Sequence, residues 1–454
     1  MTLLVVHARL ITMAGDDCGH VPDGWMRVDD GRITALGAGE APRIDGAEVL
    51  DVGGAFVAPG FVSSHSHLFT SGARGLGVAE TLYGWCDSML GLMAHATPED
   101  YYWATLHGSL DFLANGTTTA FDFTDPRIPW ERMVDGAKTG AGELRPFAHQ
   151  AAQIDAKRDA GLRFVNAASL DDAIGTDEEV VDRFGLVVDH CAAIDPDLCL
   201  GAAIMGAVQW SPRANAAELE VAAMRRYGVI NEAHFLETRE EVELQRSKFA
   251  RYRDAGALGP DMVFGHFIQT TPEIIAEAAA GGASMSWQPA SNGRLASGTA
   301  DLPAIRAAGM KVGLGLDDQA CTDVSDPWQN MRMGVYSVRA ATGDPLSMLP
   351  EDVLRMATLG SAEVLGVDSR VGSLEPGKLA DFLVVDPRSP DLGPLWHPVR
   401  SYVLACSLRN LKAVYVGGVL AAADGVSTNP LAPRAVEEVH RRMPQVAERG
   451  GYPV

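Results

Sequence analysis

The sequence predicts an α/β protein: a (β/α)8 barrel over residues 58–366, with β structure contributed by both flanks, 1–57 and 367–454. Two observations predict it. Through the middle of the chain, apolar runs of strand length alternate with helical stretches, which is the pattern of a parallel sheet wrapped by helices. At both ends the text changes to short β-rich runs punctuated by turn residues.

Taken in order, Leu3–Ile11, Trp25–Val28, the turn Asp29-Asp30-Gly31 and Arg32–Leu36 read as a small antiparallel sheet. The barrel strands are expected at Phe61–Ser64, Thr117–Phe123, Arg163–Ala168, Leu198–Met205, Val229–Phe235, Asp261–Phe267, Ala283–Trp287 and Lys311–Asp317. Capping chemistry supports the helices between them. Thr271-Pro272-Glu273 supplies an N-cap, a proline at the first helical position and an early acid, with Gly281 as the stop, and Asp301 to Gly309 repeats that grammar. From Asp381 the chain returns to β text at Asp381–Asp386, Val399–Cys406, Leu411–Val416 and Val419–Ala423, so the two ends are expected to share one sheet domain. Residues 430–454 read as a helix and tail.

Composition narrows the function. The 454 residues carry 37 basic and 59 acidic side chains, a net charge of −22, with 47% hydrophobic residues. That balance excludes electrostatic tracking of nucleic-acid polymers or anionic lipid, which needs basic clusters. The longest apolar stretches, such as Ala413 to Ala423, are broken by glycine and fall short of the roughly 18 residues of a membrane span. The first residues, Met-Thr-Leu-Leu-Val-Val-His-Ala-Arg, lack a basic leader and a cleavage site, and the six dispersed cysteines form no Cys-x-x-Cys pair. A soluble protein of the reducing cytoplasm is expected.

The chemistry-bearing residues fall at predicted strand ends. His65-x-His67 closes the first barrel strand, and because strand residues i and i+2 share a face, both imidazoles can reach one cation. Alone, the pair reads equally as two turn histidines. His234, His266 and Asp317 each end another strand, on the face where barrels build their sites. Imidazoles and a carboxylate suit zinc, with iron or manganese as alternatives, and an incomplete coordination sphere leaves room for water.

Ala58-Pro-Gly-Phe-Val-Ser-Ser-His-Ser-His-Leu68, Glu232-Ala-His-Phe-Leu-Glu-Thr238, Phe264-Gly-His-Phe267, Gly315-Leu-Asp317 and Gly372-Ser-Leu-Glu-Pro-Gly-Lys-Leu-Ala-Asp-Phe382 together resemble the amidohydrolase superfamily. The best match is its aminohydrolase branch, which acts on triazines, guanine, cytosine and adenosine-type substrates. The resemblance spans nearly the whole chain. It implies that His65, His67, His234 and Asp317 hold one divalent metal, with His266 beside or within its first coordination shell. It also implies that the two chain ends form a composite β-sandwich. No lysine occurs between Lys157 and Lys248, so the carbamylated bridge of two-metal relatives is missing and a single ion is favoured. Glu237 matches the His-x-x-Glu of deaminase members, where the acid shuttles protons; its alternative is a helix-entry carboxylate beside Thr238 and Arg239.

The implied reaction is hydrolytic deamination of a small amino-substituted nitrogen heterocycle: a purine, pteridine, pyrimidine or triazine. A bound metal can bring the pKa of water from about 15.7 to about 7, Glu237 moves its proton to a ring nitrogen, and His266 and Asp317 orient the attack. The rival is hydrolysis of another bond, a cyclic amide or a chloro- or alkylamino-triazine, and a metal-free scaffold is a third reading. Candidate substrate contacts are Arg74, Gln209, Trp287 and Asn292. Arg74 reads equally as a loop arginine in a salt bridge, and Trp287 as a core residue. The likeness has departures: Trp287 stands where relatives usually have histidine, Leu316 where threonine is common, and Asp318 where glycine is common. His95, His107, His149 and His190 read as structural, as do Met89, Met93, Met331 and Met333. A homo-oligomer is expected.

Overall fold

The structure, a computed structural model, describes residues 2–131 and 142–452 together with the paired strands Met133–Val134 and Ala137–Lys138. Eight parallel strands form the barrel: Phe61–Ser63, Thr117–Phe123, Arg163–Ala168, Cys199–Gly206, Asn231–Phe235, Met262–His266, Ser284–Trp287 and Val312–Leu314. They are numbered one to eight below. The Ser64 amide, donating to the Leu314 carbonyl at 3.2 Å, brings the last strand back to the first. Several of the strands are covered on both faces, and Thr117–Phe123 is buried at every position although it carries three threonines and an aspartate.

Strand eight is shorter than the sequence predicts. It ends at Leu314, and Asp317–Asp318 instead pairs in parallel with Ser66–His67. The break lies at Gly315, where a Cβ would fall 2.5 Å from that of His65 and 3.0 Å from its carbonyl oxygen. Only glycine lets the strand pass that close to His65.

The two chain ends meet in one sheet, with Phe382–Val385 lying between Phe56–Pro59 and Leu411–Val416. The sheet is mixed rather than purely antiparallel, because Thr2–Ile11 pairs in parallel with Glu48–Asp51 and with Phe56–Pro59. Of the β runs expected after residue 380, Val399–Cys406 is the exception: Pro398–Leu404 is a helix. Pro398 sits at its first turn, and the apolar residues Val399, Tyr402 and Val403 recur at i, i+3 and i+4, so they share one buried helical face. The expected stop at Gly281 falls one residue later, at Gly282, whose φ is 92°.

The C-terminal helix, Ala432–Gly450, packs on the barrel through Arg442 and Arg449, which pair with Asp100 at 3.1 and 2.5 Å. Residues 453 and 454 of the expected tail lie outside the described residues. Among the described residues no helix is long and apolar enough to cross a membrane, and none of the six cysteines is joined in a disulfide.

Candidate active site

The ends of barrel strands one, five and six, with Asp317 beyond strand eight, converge on one buried cluster. Ligand atoms of His65, His67 and His234 lie within 4.8 Å of one another, as do those of His65, His266 and Asp317. Nε2 of His67 faces Nε2 of His234 at 3.0 Å. Asp317 Oδ1 lies 3.5 Å from His65 Nε2 and 3.8 Å from His67 Nε2, and its Oδ2 lies 3.8 Å from His266 Nε2. Phe123 stacks on the His67 ring at 4.8 Å and 19°, fixing its plane. His266 and Asp317 hold left-handed backbone angles, φ 66° and 62°, uncommon for side chains of this size and typical of functional positions.

The donor set fits a divalent cation. His65 Nδ1 is bonded to Glu232 Oε1 at 2.6 Å, while its Nε2 is buried and has no hydrogen-bond partner. A carboxylate holding one imidazole nitrogen so that the other points inward is the arrangement that orients metal-binding histidines. Burial drives His65, His67 and His266 well below the usual imidazole range and His234 to about 3, so all four are neutral at physiological pH, the form that ligates. Asp317 is pushed up to about 6 by burial.

His266 has a separate environment. Asn292 Nδ2 donates to its Nδ1 at 2.8 Å, and its backbone amide donates to Gln288 Oε1 at 3.0 Å. With Nδ1 accepting, Nε2 carries the proton and faces Glu237 Oε2 at 3.5 Å and Asp317 Oδ2 at 3.8 Å. In this tautomer His266 is a hydrogen-bond donor beside the cluster. Burial, then the nearby Asp317 charge, hold the Glu237 carboxyl well above the usual carboxylate range.

His67, His234, Glu237, His266, Asp317 and Asp318 line one cavity. The four sequence candidates for substrate contact do not line it. Arg74 pairs with Asp111 at 2.7 Å. Gln209 is buried, and its backbone carbonyl accepts from Lys248 Nζ at 2.5 Å. Trp287 is fully buried in the main apolar core, and Asn292 reaches the site only through His266. Trp210, next to Gln209, does line the cavity, as does Met89, which the sequence assigns to packing alone. Glu232 was not singled out from the sequence, although its place two residues before His234 on strand five puts both side chains on one face. Two other histidines read as structural have partners of their own: His107 meets Ser71 at 3.0 Å and His190 meets Asp155 at 3.1 Å.

Neutral imidazoles and a carboxylate gathered at the C-terminal rim of a (β/α)8 barrel, with a second acid beside them, define the class of metal-assisted barrel hydrolases. Residues 56–421 match the Amidohydrolase family; the chain belongs to it and is a hydrolase of carbon–nitrogen bonds. It is 28% identical to a 5-methylthioadenosine/S-adenosylhomocysteine deaminase of Syntrophobacter fumaroxidans, over 98% of this chain and 97% of that protein. It is 30% identical to an 8-oxoguanine deaminase of Pseudomonas aeruginosa, over 88% of this chain and 90% of that protein. The fold is shared with a zinc-bound adenosine deaminase of Xanthomonas campestris (TM-score 0.83, 22% identity, 98% of each chain). It is shared too with a zinc-complexed atrazine chlorohydrolase of Arthrobacter aurescens (TM-score 0.84, 21% identity, 97% of this chain and 100% of that one).

Proposed function

We propose that this protein is a deaminase that releases ammonia from an amino-substituted nitrogen heterocycle, with His65, His67, His234 and Asp317 holding one divalent ion. The observation that carries the reading is the position of the Glu237 carboxyl, buried in the cavity beside His67, His234 and Asp317 with its Oε2 3.5 Å from His266 Nε2, where a carboxyl can serve as general base and acid. Relatives named as deaminases and zinc-bound neighbours of the same fold support it, and zinc is the metal proposed.

When bound, the cation supplies Lewis-acid polarisation and a lowered pKa for water. The protein's own groups do the rest. Glu237 accepts a proton from the attacking water and delivers it to the ring nitrogen beside the amine-bearing carbon, so that attack builds no charge on the ring. The Nε2–H of His266 donates to the oxygen joining that carbon. Asp317 accepts the remaining hydroxyl proton, which passes to the exocyclic amine as the carbon–nitrogen bond breaks. The products are the ring carbonyl and ammonia, and one water is consumed.

Purified protein should contain about one equivalent of divalent metal, and His65→Ala should lose both metal and activity. A panel of aminopurines, aminopteridines, aminopyrimidines and aminotriazines, assayed for ammonia, tests the reaction. Glu237→Gln should keep the metal while turnover falls about 10²- to 10⁴-fold. Near-parental turnover in that variant would remove Glu237 from the mechanism. Metal-loaded protein that opens cyclic amides but releases no ammonia from the panel would replace deamination with the rival hydrolysis.

A further inference from the structure

We infer that the cavity selects a heterocyclic amine whose non-reacting end is an uncharged apolar group, alkyl or aryl, and rejects one bearing an ionised tail. This rests on the deaminase reading for the orientation of the substrate, amine toward Glu237 and tail toward the outer wall.

The cavity is chemically divided. Glu237, Asp317 and Asp318 gather with the histidines at its floor, while the wall is built from Trp85, Met89, Trp130, Met205, Trp210 and Leu295, with Asp125 and Tyr83 among them. Of the three wall indoles, Trp85 and Trp130 have their N–H groups turned away from it, while that of Trp210 is buried and makes no such bond. Trp85 Nε1 donates to the Ala320 carbonyl at 3.2 Å and Trp130 Nε1 to Asp87 Oδ1 at 2.9 Å, which leaves ring carbon to face a ligand.

The polar side chains of the wall are similarly committed. Thr124 gives its hydroxyl to the Ala167 carbonyl at 2.9 Å. Asp125 accepts from the Tyr101 hydroxyl at 2.5 Å and pairs with Arg145 at 2.6 Å, so its charge is already met. Tyr83 offers a neutral hydroxyl. Among the described residues no lysine or arginine lines the cavity, and the arginines around it are engaged elsewhere: Arg74 with Asp111, and Arg294 with the carbonyls of Gly77 and Leu76. A carboxylate tail would lose its water here without gaining a cation, and an ammonium tail would meet no free carboxylate short of the floor. An apolar tail gains contact with the indole and thioether surfaces.

The test separates tail recognition from chemistry. 9-Benzyladenine, 9-propyladenine and 9-(3-carboxypropyl)adenine share one ring and differ in the tail, and a second set carries the same tails on a diamino-1,3,5-triazine. Titration calorimetry with the Glu237→Gln enzyme reads binding alone, and ammonia release by the parent reads turnover. Apolar-tailed compounds should bind at least about tenfold more tightly than their carboxylate partners, with 5'-methylthioadenosine preferred over S-adenosylhomocysteine in the same sense. Trp130→Ala should weaken 9-benzyladenine about tenfold while leaving the carboxylate compound unchanged, a loss matching one buried aromatic contact. Met205→Ala provides the same comparison at a second wall residue. Equal affinity for apolar and charged tails in both ring sets, or preference for the charged ones, would overturn the inference whether or not ammonia is released. Absence of ammonia with tail selectivity intact would overturn the deaminase reading alone.

Discussion

His266 and Asn292 show how much of the chemistry depends on a proton's position rather than on a residue's identity. Asn292 is fully buried and its one donation, at 2.8 Å, assigns the proton of His266 to the nitrogen that faces Glu237. Asn292→Leu should lower kcat about 10- to 100-fold with metal content unchanged, the usual cost of losing a group that orients a catalytic one. Asn292→Asp is the sharper comparison. A carboxylate accepts from Nδ1 and forces the opposite tautomer, so it should lose at least as much as the leucine variant although a hydrogen bond is kept. Activity in Asn292→Asp near the parental level would show that packing, not tautomer, is what Asn292 supplies. Arg74 is the contrast: its part-exposed pair with Asp111 belongs to the class contributing about 0 to 1 kcal/mol, and Arg74→Met should leave kcat/KM at the parental value. At this scale the sequence is legible where a period reveals it. The His-x-His pair and the strand-end His234 and His266 follow from the two-residue repeat of a strand and the rim rule of barrels. Arg74, Gln209 and Trp287, which do not line the cavity, are less legible, because proximity along the chain to a strand end does not say which way a side chain turns.

At the scale of elements, one buried ion pair ties the helix layer to the site. Lys157, on the helix Ala148–Ala160, reaches Asp122 at 2.5 Å and Asn166 at 2.6 Å, on strands two and three, and all three side chains are buried. The other carboxylate oxygen of Asp122 accepts from the Leu68 amide at 2.8 Å, one residue beyond His67. The helix thereby helps to hold the turn that follows His67. Lys157→Met leaves Asp122 uncompensated in the interior and should cost about 3 to 5 kcal/mol, measured by urea unfolding. Adding Asp122→Asn should recover part of that loss, and a double variant no more stable than the single one would refute the electrostatic account. Neither partner stands out in the sequence, since the pair joins residues 35 apart. Pro398–Leu404 failed for a different reason: its β-branched and aromatic residues read as strand, while the proline and the i, i+3, i+4 spacing that decide for a helix occupy barely two turns.

Across the whole molecule, barrel and sheet domain are joined by Arg163, at the start of strand three, which pairs with Asp381 through Nε at 2.6 Å and Nη2 at 2.9 Å. Asp381 also accepts from the Gly417 amide and, through its backbone carbonyl, from that of Gly60, so one buried carboxylate residue gathers both chain ends and the barrel. Arg163→Leu should uncouple them. The observable is a separation of the unfolding transitions seen by tryptophan fluorescence and by far-ultraviolet circular dichroism, relative to their separation in the parent. Unchanged separation with unchanged midpoints would mean that strand pairing alone unites the two parts. The alternation of strands and helices and the β text at both ends made this architecture legible. The ion pair that fastens it was not, because a contact between residues 218 apart has no local signature.

The C-terminal helix sets an order in time. Its residues Val439, Met443 and Val446 share one apolar cluster with Trp85 and Met89, the wall of the cavity. On the ribosome, every side chain of the histidine–aspartate cluster has been made by residue 317, yet the strand Phe382–Val385 and the helix Ala432–Gly450 are still to come. A nascent chain halted between those points has its ligands but a bare, unsupported pocket wall, together with the unpaired edge of Phe56–Pro59. Such non-local closure is slow and leaves apolar surface open while it waits. Competence to recognise a substrate therefore arrives last in synthesis, and prematurely terminated products are candidates for chaperone capture and proteolysis rather than for partial function.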